Sequence, residues 1–323
     1  MRILSPRFIY CDCLVFREPG TRTEITRNVA TSITKPETDL GALAHLECEP
    51  LVTVIEPSSG WLPIDWKELW RFRELFYFLT WRDVKIRYKQ TALGAAWAIL
   101  QPVMTMVVFT IFFGKLAGIE SRTGGIPYPI FVFAGLLPWS FFANAVTNSS
   151  NSLVGSTNLI TKVYFPRLIM PLSAVGAWLV DLAVAFIVLA GMMAWYRVSI
   201  TWQLALVPLF VFGTVLAATG IGSLLSALTV TYRDFRYVVP FVIQIWMFVS
   251  PVIFPPTIVP TRWQLVFSLN PMSGLIGGFR SAFLGKPDFE WGHIGISLLV
   301  SLGLFFFGAS YFRKVEHGFA DII

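Results

Sequence analysis

From Thr91 onward the chain alternates long apolar runs with short polar connectors. The runs are Thr91–Leu116, Pro127–Val146, Pro171–Trp195, Leu204–Thr229, Val238–Phe254 and Ile294–Tyr311, each of about 17 to 26 residues. That is the length a helix needs to cross about 30 Å of hydrocarbon. The second, fifth and sixth lie near the lower limit, where a bent or broken helix would serve equally. The runs are continuous rather than alternating, which disfavours a barrel. Helices also pair their own backbone groups, which lipid cannot do. The pattern therefore predicts an all-α polytopic membrane protein with six transmembrane helices.

Composition agrees: 55% of residues are hydrophobic, 14% are charged and mean hydropathy is +0.66, whereas a soluble globule carries about 25% charged residues. The cations also have a sidedness. Lys67, Arg71, Arg73, Arg82, Lys85, Arg87, Lys89, Lys162, Arg167, Arg233, Arg236, Arg313 and Lys314 fall on one set of connectors, thirteen in all, against six on the other: Lys115, Arg122, Arg197, Arg262, Arg280 and Lys286. The positive-inside rule then places both termini in the cytoplasm. This asymmetry absorbs most of the basic residues behind the net charge of +6, and no nucleic-acid partner is needed to explain them.

The first 53 residues differ in kind. They are polar and aperiodic, which predicts a flexible tail unless the translation start is mis-assigned. The apolar patch Phe8–Phe16 is interrupted by Asp12 and lacks a small-residue cleavage site, so it does not read as a signal peptide. Cys11, Cys13 and Cys48 read as free cytosolic thiols, and no metal site is expected. From Asp65 to Lys89 the spacing predicts a basic amphipathic helix, with Asp65 as N-cap and Glu68 completing a capping-box-like pair. Such a helix suits the anionic inner leaflet, either as an anchor alone or also as a brace for a cytoplasmic partner.

Two further features stand out. The second-to-third connector passes from a polar stretch, Asn148–Ser152, into Asn158-Leu159-Ile160-Thr161-Lys162-Val163-Tyr164-Phe165-Pro166-Arg167. On spacing alone it is a loop or a short helix parallel to the membrane, with Tyr164 and Phe165 available to fill a groove on another protein. Asp181 is the acid that falls inside an apolar run. With no second carboxylate or His in the runs to form a proton relay, a structural polar contact inside the bundle or at a dimer seam is the leading reading, with channel lining and proton coupling behind it.

Several segments together resemble the permease subunits of type 2 ATP-binding cassette exporters of bacterial polysaccharides such as O-antigen, capsule or teichoic acid. They are Leu79–Gln90, Leu93–Trp97, Asn158–Arg167, Tyr232–Tyr237, Asn270-Pro271-Met272 and Gly278-Phe279-Arg280, within a likeness running from about Val54 to Asp321. The resemblance implies an interface segment over residues 54–90, a six-helix permease domain over 91–323, and residues 1–53 outside both. It implies a homodimer in the bacterial inner membrane, docked on two copies of a cytoplasmic ATPase that binds ATP and magnesium, and moving a lipid-linked polysaccharide. In such proteins Asn158, Leu159, Lys162, Tyr164, Phe165 and Arg167 correspond to a coupling helix. Arg71, Arg82, Asp83, Lys85 and Arg87 belong to an interface helix. Asn270, Pro271, Met272 and Arg280 lie in short re-entrant outer gate helices over Pro260–Leu284, a stretch whose Asn270-Pro271 break and glycines fit that role.

Sugar rings have apolar C–H faces that slide over aromatic rings, so Trp97, Phe109, Trp139, Phe141, Phe142 and Trp246 are candidates to line a polymer's path. The bland alternative for each is a lipid belt or packing. No ATP-hydrolysing loop is present: Gly114-Lys115 and Gly285-Lys286 lack both the glycine five residues earlier and the following Ser or Thr. A sister permease for a small drug or lipid is the nearest alternative. An intramembrane enzyme acting on lipid-linked sugars is further off, because His45, His293 and His317 are scattered. A secondary transporter would need paired intramembrane charges.

Overall fold

The computed structural model describes residues 66–89, 96–123, 125–199, 201–285, 289–316 and 318–319. The predicted tail over residues 1–53, its cysteines and the Asp65 cap lie outside the described residues. Among those described, the chain is helical throughout. A basic pair, α1 (Trp66–Arg71) and α2 (Arg73–Lys89), whose exposed side carries aromatic residues as well as cations rather than a segregated polar face, is followed by α3 (Ala96–Phe109), α4 (Tyr128–Asn151), the single turn α5 (Thr157–Ile160) and α6 (Ile169–Trp195). Then come α7 (Val207–Thr231), α8 (Phe235–Val249), α9 (Gln264–Ser268), α10 (Pro271–Leu284) and α11 (Trp291–Glu316).

Among the described residues five helical stretches are long and apolar enough to cross a membrane: Ala96–Leu116, Tyr128–Asn151, Ile169–Trp195, Trp202–Thr231 and Trp291–Glu316. The first ends in a π-helical segment, Thr110–Leu116. Two of the runs predicted as short are not. The helix of the second continues to Asn151 because its polar end bonds to itself: Asn148 Nδ2 and Asn151 Nδ2 donate to the carbonyls of Asn144 and Thr147 at 2.8 and 2.9 Å. Asn148 to Asn151, expected as connector, are thus the last turn of α4. The sixth run likewise extends to the 26 residues of α11. The fifth run does break: α8 has 15 residues, or about 22 Å, which is short of a full span.

The core is organised around α4, whose apolar side chains are buried from Tyr128 to Val146. Helices α6, α7, α10, α3 and α8 all pack against it. Elsewhere small residues let backbones touch. Gly220 of α7 faces the main chain of Leu304 and Phe305, and a Cβ on Gly308 of α11 would stand 2.0 Å from the Gly220 carbonyl oxygen. Two helices in lipid gain little from excluding water, so such close contact is what holds them together.

The break after α8 leaves the carbonyls of residues 252 to 254 without helical partners, and side chains from other helices supply them. Arg280 of α10, 5% exposed, donates to the carbonyls of Phe131 at 3.1 Å, Phe254 at 3.3 Å and Val252. Tyr128 donates its hydroxyl to the Ile253 carbonyl at 2.9 Å. The guanidinium lies 3.9 Å from the Phe131 ring centroid, in space left by Gly135, where a Cβ would come within 2.5 Å of a guanidinium nitrogen. Arg280, counted from sequence among the connector cations, is therefore a buried internal donor.

Two outcomes are expected from denaturant titrations of purified protein in micelles. Gly308→Val should destabilise by about 1–3 kcal/mol or more through overpacking, whereas Gly303→Ala, on the same helix with open space around it, should be close to neutral. Arg280→Met should cost about 2–4 kcal/mol, because buried carbonyls lose their donors. Comparable stability for Gly308→Val and Gly303→Ala, or wild-type stability for Arg280→Met, would contradict these packing assignments.

Candidate functional site

Helix α2 lies along α6, burying Leu79 and Val84. Gly176 of α6 makes room for Thr80 and Phe76, whose side-chain atoms would stand 3.2 to 3.3 Å from a Cβ at that position. At its C-terminal end α2 delivers two consecutive side chains to one acid. Arg87 pairs with Asp181 of α6, and Tyr88 donates its hydroxyl to the other carboxylate oxygen. The Arg87 guanidinium also stacks 3.6 Å from the centroid of the Trp178 ring. Burial, reinforced by the bond to Asp181, pushes the Tyr88 hydroxyl well above its usual range, so it stays protonated and remains a donor. Asp181 thus makes a polar contact, and its partners come from α2 rather than from another span.

The other residues expected on the interface helix point elsewhere. Arg82 and Asp83 pair with each other at 2.9 Å on the surface, a contact of small energetic weight. Arg71 and Lys85 are exposed, Lys85 lying 5.6 Å from the Trp81 ring. Trp70, Tyr77, Phe78 and Trp81 are also exposed, giving this helix an outward aromatic surface fit for a lipid headgroup region. Between α2 and the turn joining α4 to α6 runs a polar groove of about 610 Å³, bordered by Arg82, Asp83, Asn148, Asn151 and Ser156.

The connector after α4 is anchored at its back and open at its front. Phe165 is 4% exposed and joins Leu153, Ile160, Ile169, Phe312 and Phe319 in a second apolar cluster. It therefore does not project into a partner, as the sequence suggested; its apolar ring is covered by the end of α11. Arg167 serves the same anchor: its backbone N–H donates to the Glu316 carboxylate at 3.0 Å and its side chain to the Glu316 carbonyl at 2.6 Å. A cation at the last carbonyls of α11 is well placed for that helix's dipole. Leu159 packs partly against the same cluster. Asn158, Lys162 and Tyr164 face outward, Tyr164 at 69% exposure.

The six candidate aromatics divide three ways. Trp97 and Phe141 line a cavity of about 480 Å³ between α2, α3, α4 and α6. Trp139, Phe142 and Trp246 pack on one another with centroids 5.3 to 6.5 Å apart, Trp139 and Phe142 being 4% and 0% exposed. Phe109 sits edge-on to Phe113 at 5.6 Å. In the predicted gate, Asn270 caps α10 by accepting from the Met272 N–H at 3.0 Å and donates to Ser250 at 2.9 Å. Pro271 and Met272 are buried. The elbow lies beside Ser297, about two turns inside α11, so α9 and α10 dip below the end of the bundle.

Sequence reasoning missed Tyr88, Trp178 and Tyr128 as functional side chains. The one available signal was the Arg87-Tyr88 pair at the end of a basic helix, in a chain whose apolar runs hold one unpartnered acid. Among the described residues no group of three or more His, Cys, Asp or Glu is placed to hold a metal.

Comparison with known proteins adds a family. The chain is 28% identical over 258 residues to the O-antigen export system permease protein RfbA of Klebsiella pneumoniae, covering 77% of this chain and 95% of that protein. It is 28% identical over 261 residues to the RfbA protein of Myxococcus xanthus, covering 80% and 98%. It is 24% identical over 249 residues to the polysialic acid transport protein KpsM of Escherichia coli, covering 73% and 91%. The family model for the ABC-2 type transporter matches residues 74–284, a stretch that takes in the α2–α6 contact, the anchored connector and the buried Arg280. This chain is therefore a member of the ABC-2 type transporter family.

Proposed function

We propose that the chain is the membrane-spanning subunit of an ATP-driven exporter that moves a lipid-linked polysaccharide across the bacterial inner membrane. The observation that carries this reading is the near-complete coverage of relatives named for O-antigen and polysialic acid transport, joined to a connector anchored at its back and open at its front. ATP and magnesium belong to a separate nucleotide-binding subunit, two copies of which serve a homodimer of permeases. Both termini, α2 and the Asn158–Arg167 connector face the cytoplasm, in line with the distribution of cations. Exposed Asn158, Lys162 and Tyr164 meet the ATPase, while buried Phe165 and the Arg167–Glu316 contact pass its motion to α11. The largely uncovered apolar faces of α3 and α8 are shared between lipid and the second permease, and α9 and α10 form the outer gate.

Removal of the chain should leave cells without the surface polymer while its lipid-linked form accumulates on the inner side of the membrane. Lys162→Glu combined with Tyr164→Ala should reproduce this phenotype in an assembled permease and lower transport-coupled ATPase activity by about tenfold, the effect of some 1.4 kcal/mol of lost docking. Full export by that double variant would remove the coupling assignment. A loss of surface polymer without inner accumulation would instead indicate a biosynthetic role.

The α2 tie has its own test, read as stability rather than export. Arg87→Ala and Asp181→Ala should each cost about 1–3 kcal/mol, since each strands a partly buried charge. The double variant should cost less than the two together. Strictly additive losses would mean that the pair does not act as a unit.

A further inference from the structure

The cavity between α2, α3, α4 and α6 has a direction. Along α4 its wall runs from Asn144 through Phe141, Ser140 and Leu137 to Phe133, about 16 Å of helix. Arg87, Tyr88, Gln101 and Asp181 join Asn144 towards its polar end, and Leu137, Leu182, Ala185 and Phe133 form the apolar remainder. This polar-to-apolar progression matches one leaflet of a bilayer, from headgroup to hydrocarbon. At the polar end the Trp178 ring stacks on Arg87 while its indole N–H is closed off inside the protein, so the partly exposed Arg87 guanidinium is the group there that suits the oxygens of a phosphate or ester. A volume of about 480 Å³ with mostly apolar walls and a few convergent polar groups is that of a ligand site.

We infer that this cavity is a lipid site, holding one hydrocarbon chain of a membrane glycerophospholipid between α3, α4 and α6, with its phosphate and ester oxygens at the Arg87, Tyr88 and Trp178 end. The site needs only a membrane, and stands whatever the exporter carries. It makes the α2–α6 tie responsive to the bilayer, because the lipid head occupies the space beside the ion pair.

The test uses the full chain in vesicles of phosphatidylethanolamine and phosphatidylglycerol doped with a phosphatidylethanolamine whose chain carries a photoactivatable diazirine. On illumination, label should appear on the cavity-facing positions Phe141, Leu182 and Ala185. Ala185→Phe, which fills the apolar end without touching the ion pair, should lower that labelling by about tenfold while leaving label on outward positions such as Val107 and Ile187. Ala98→Leu, at another point on the cavity wall, should do the same. Label confined to outward positions in the wild type, or undiminished at the cavity in folded Ala185→Phe and Ala98→Leu, would overturn the assignment. A polyprenyl phosphate shares the chemistry of a phosphate on a hydrocarbon chain. Cavity labelling that persists in its presence supports the phospholipid, and displacement at a concentration far below that of the bilayer lipid would overturn it in favour of a carrier lipid.

Discussion

Inside a membrane every main-chain N–H and C=O must find its partner within the protein, and this fold is arranged around the place where that requirement is hardest to meet. Helix α8 stops after 15 residues, and the chain then dips through α9 and α10 before leaving for α11. Three consecutive carbonyls in that break are reached by two side chains, Arg280 taking Val252 and Phe254 and Tyr128 taking Ile253. Among the described residues no acid pairs with Arg280. Several carbonyl dipoles and the face of Phe131 surround its charge instead. Because Arg280 is on α10 and Tyr128 begins α4, the irregular segment is bound to both, and Gly135 is the space that permits it.

The opposite end of the bundle is built on a different plan. There α2 and the connector are tied to separate members of the bundle, α2 to α6 through Asp181 and the connector to α11 through Phe165 and Arg167. Each tie combines apolar burial with a charged contact, so neither segment is a loose appendage. Tyr164 stands next to the ring that docks on α11, and α2 is joined to α6 by an ion pair.

Much of this was legible in the chain. Continuous apolar runs fix helices in lipid, and their length and cation asymmetry follow directly from the solvent. What was not legible came from contacts between distant residues. The extent of α4 through Asn148 and Asn151 depended on side chains bonding back to the helix, in a stretch that reads as connector by polarity alone. Tyr164 and Phe165 are neighbours of similar character, and only the end of α11, some 150 residues away, decides that Phe165 turns in and Tyr164 out. Asp181 announced that it needed a partner without saying which; the answer lay in a helix outside the spans. The aromatics were the least readable, since Trp139 and Phe142 look no different in sequence from Trp97 yet are sealed inside the protomer.

Arg87 and Arg280 differ in what it would cost to part them from their partners. Arg87 keeps a side-chain exposure of 28% and Asp181 of 12%, so water can reach both if they part, and the cost of separation is moderated by solvation. Arg280 has no such recourse: withdrawing it would strand a charge and two carbonyls in hydrocarbon together. Arg280 therefore fastens α4, α10 and the segment after α8 to one another more firmly than the ion pair fastens α2 to α6. Parting α2 from α6 would open the Arg87–Asp181 pair to water at a moderate cost, whereas parting α10 from α4 would leave the carbonyls after α8 without their donors.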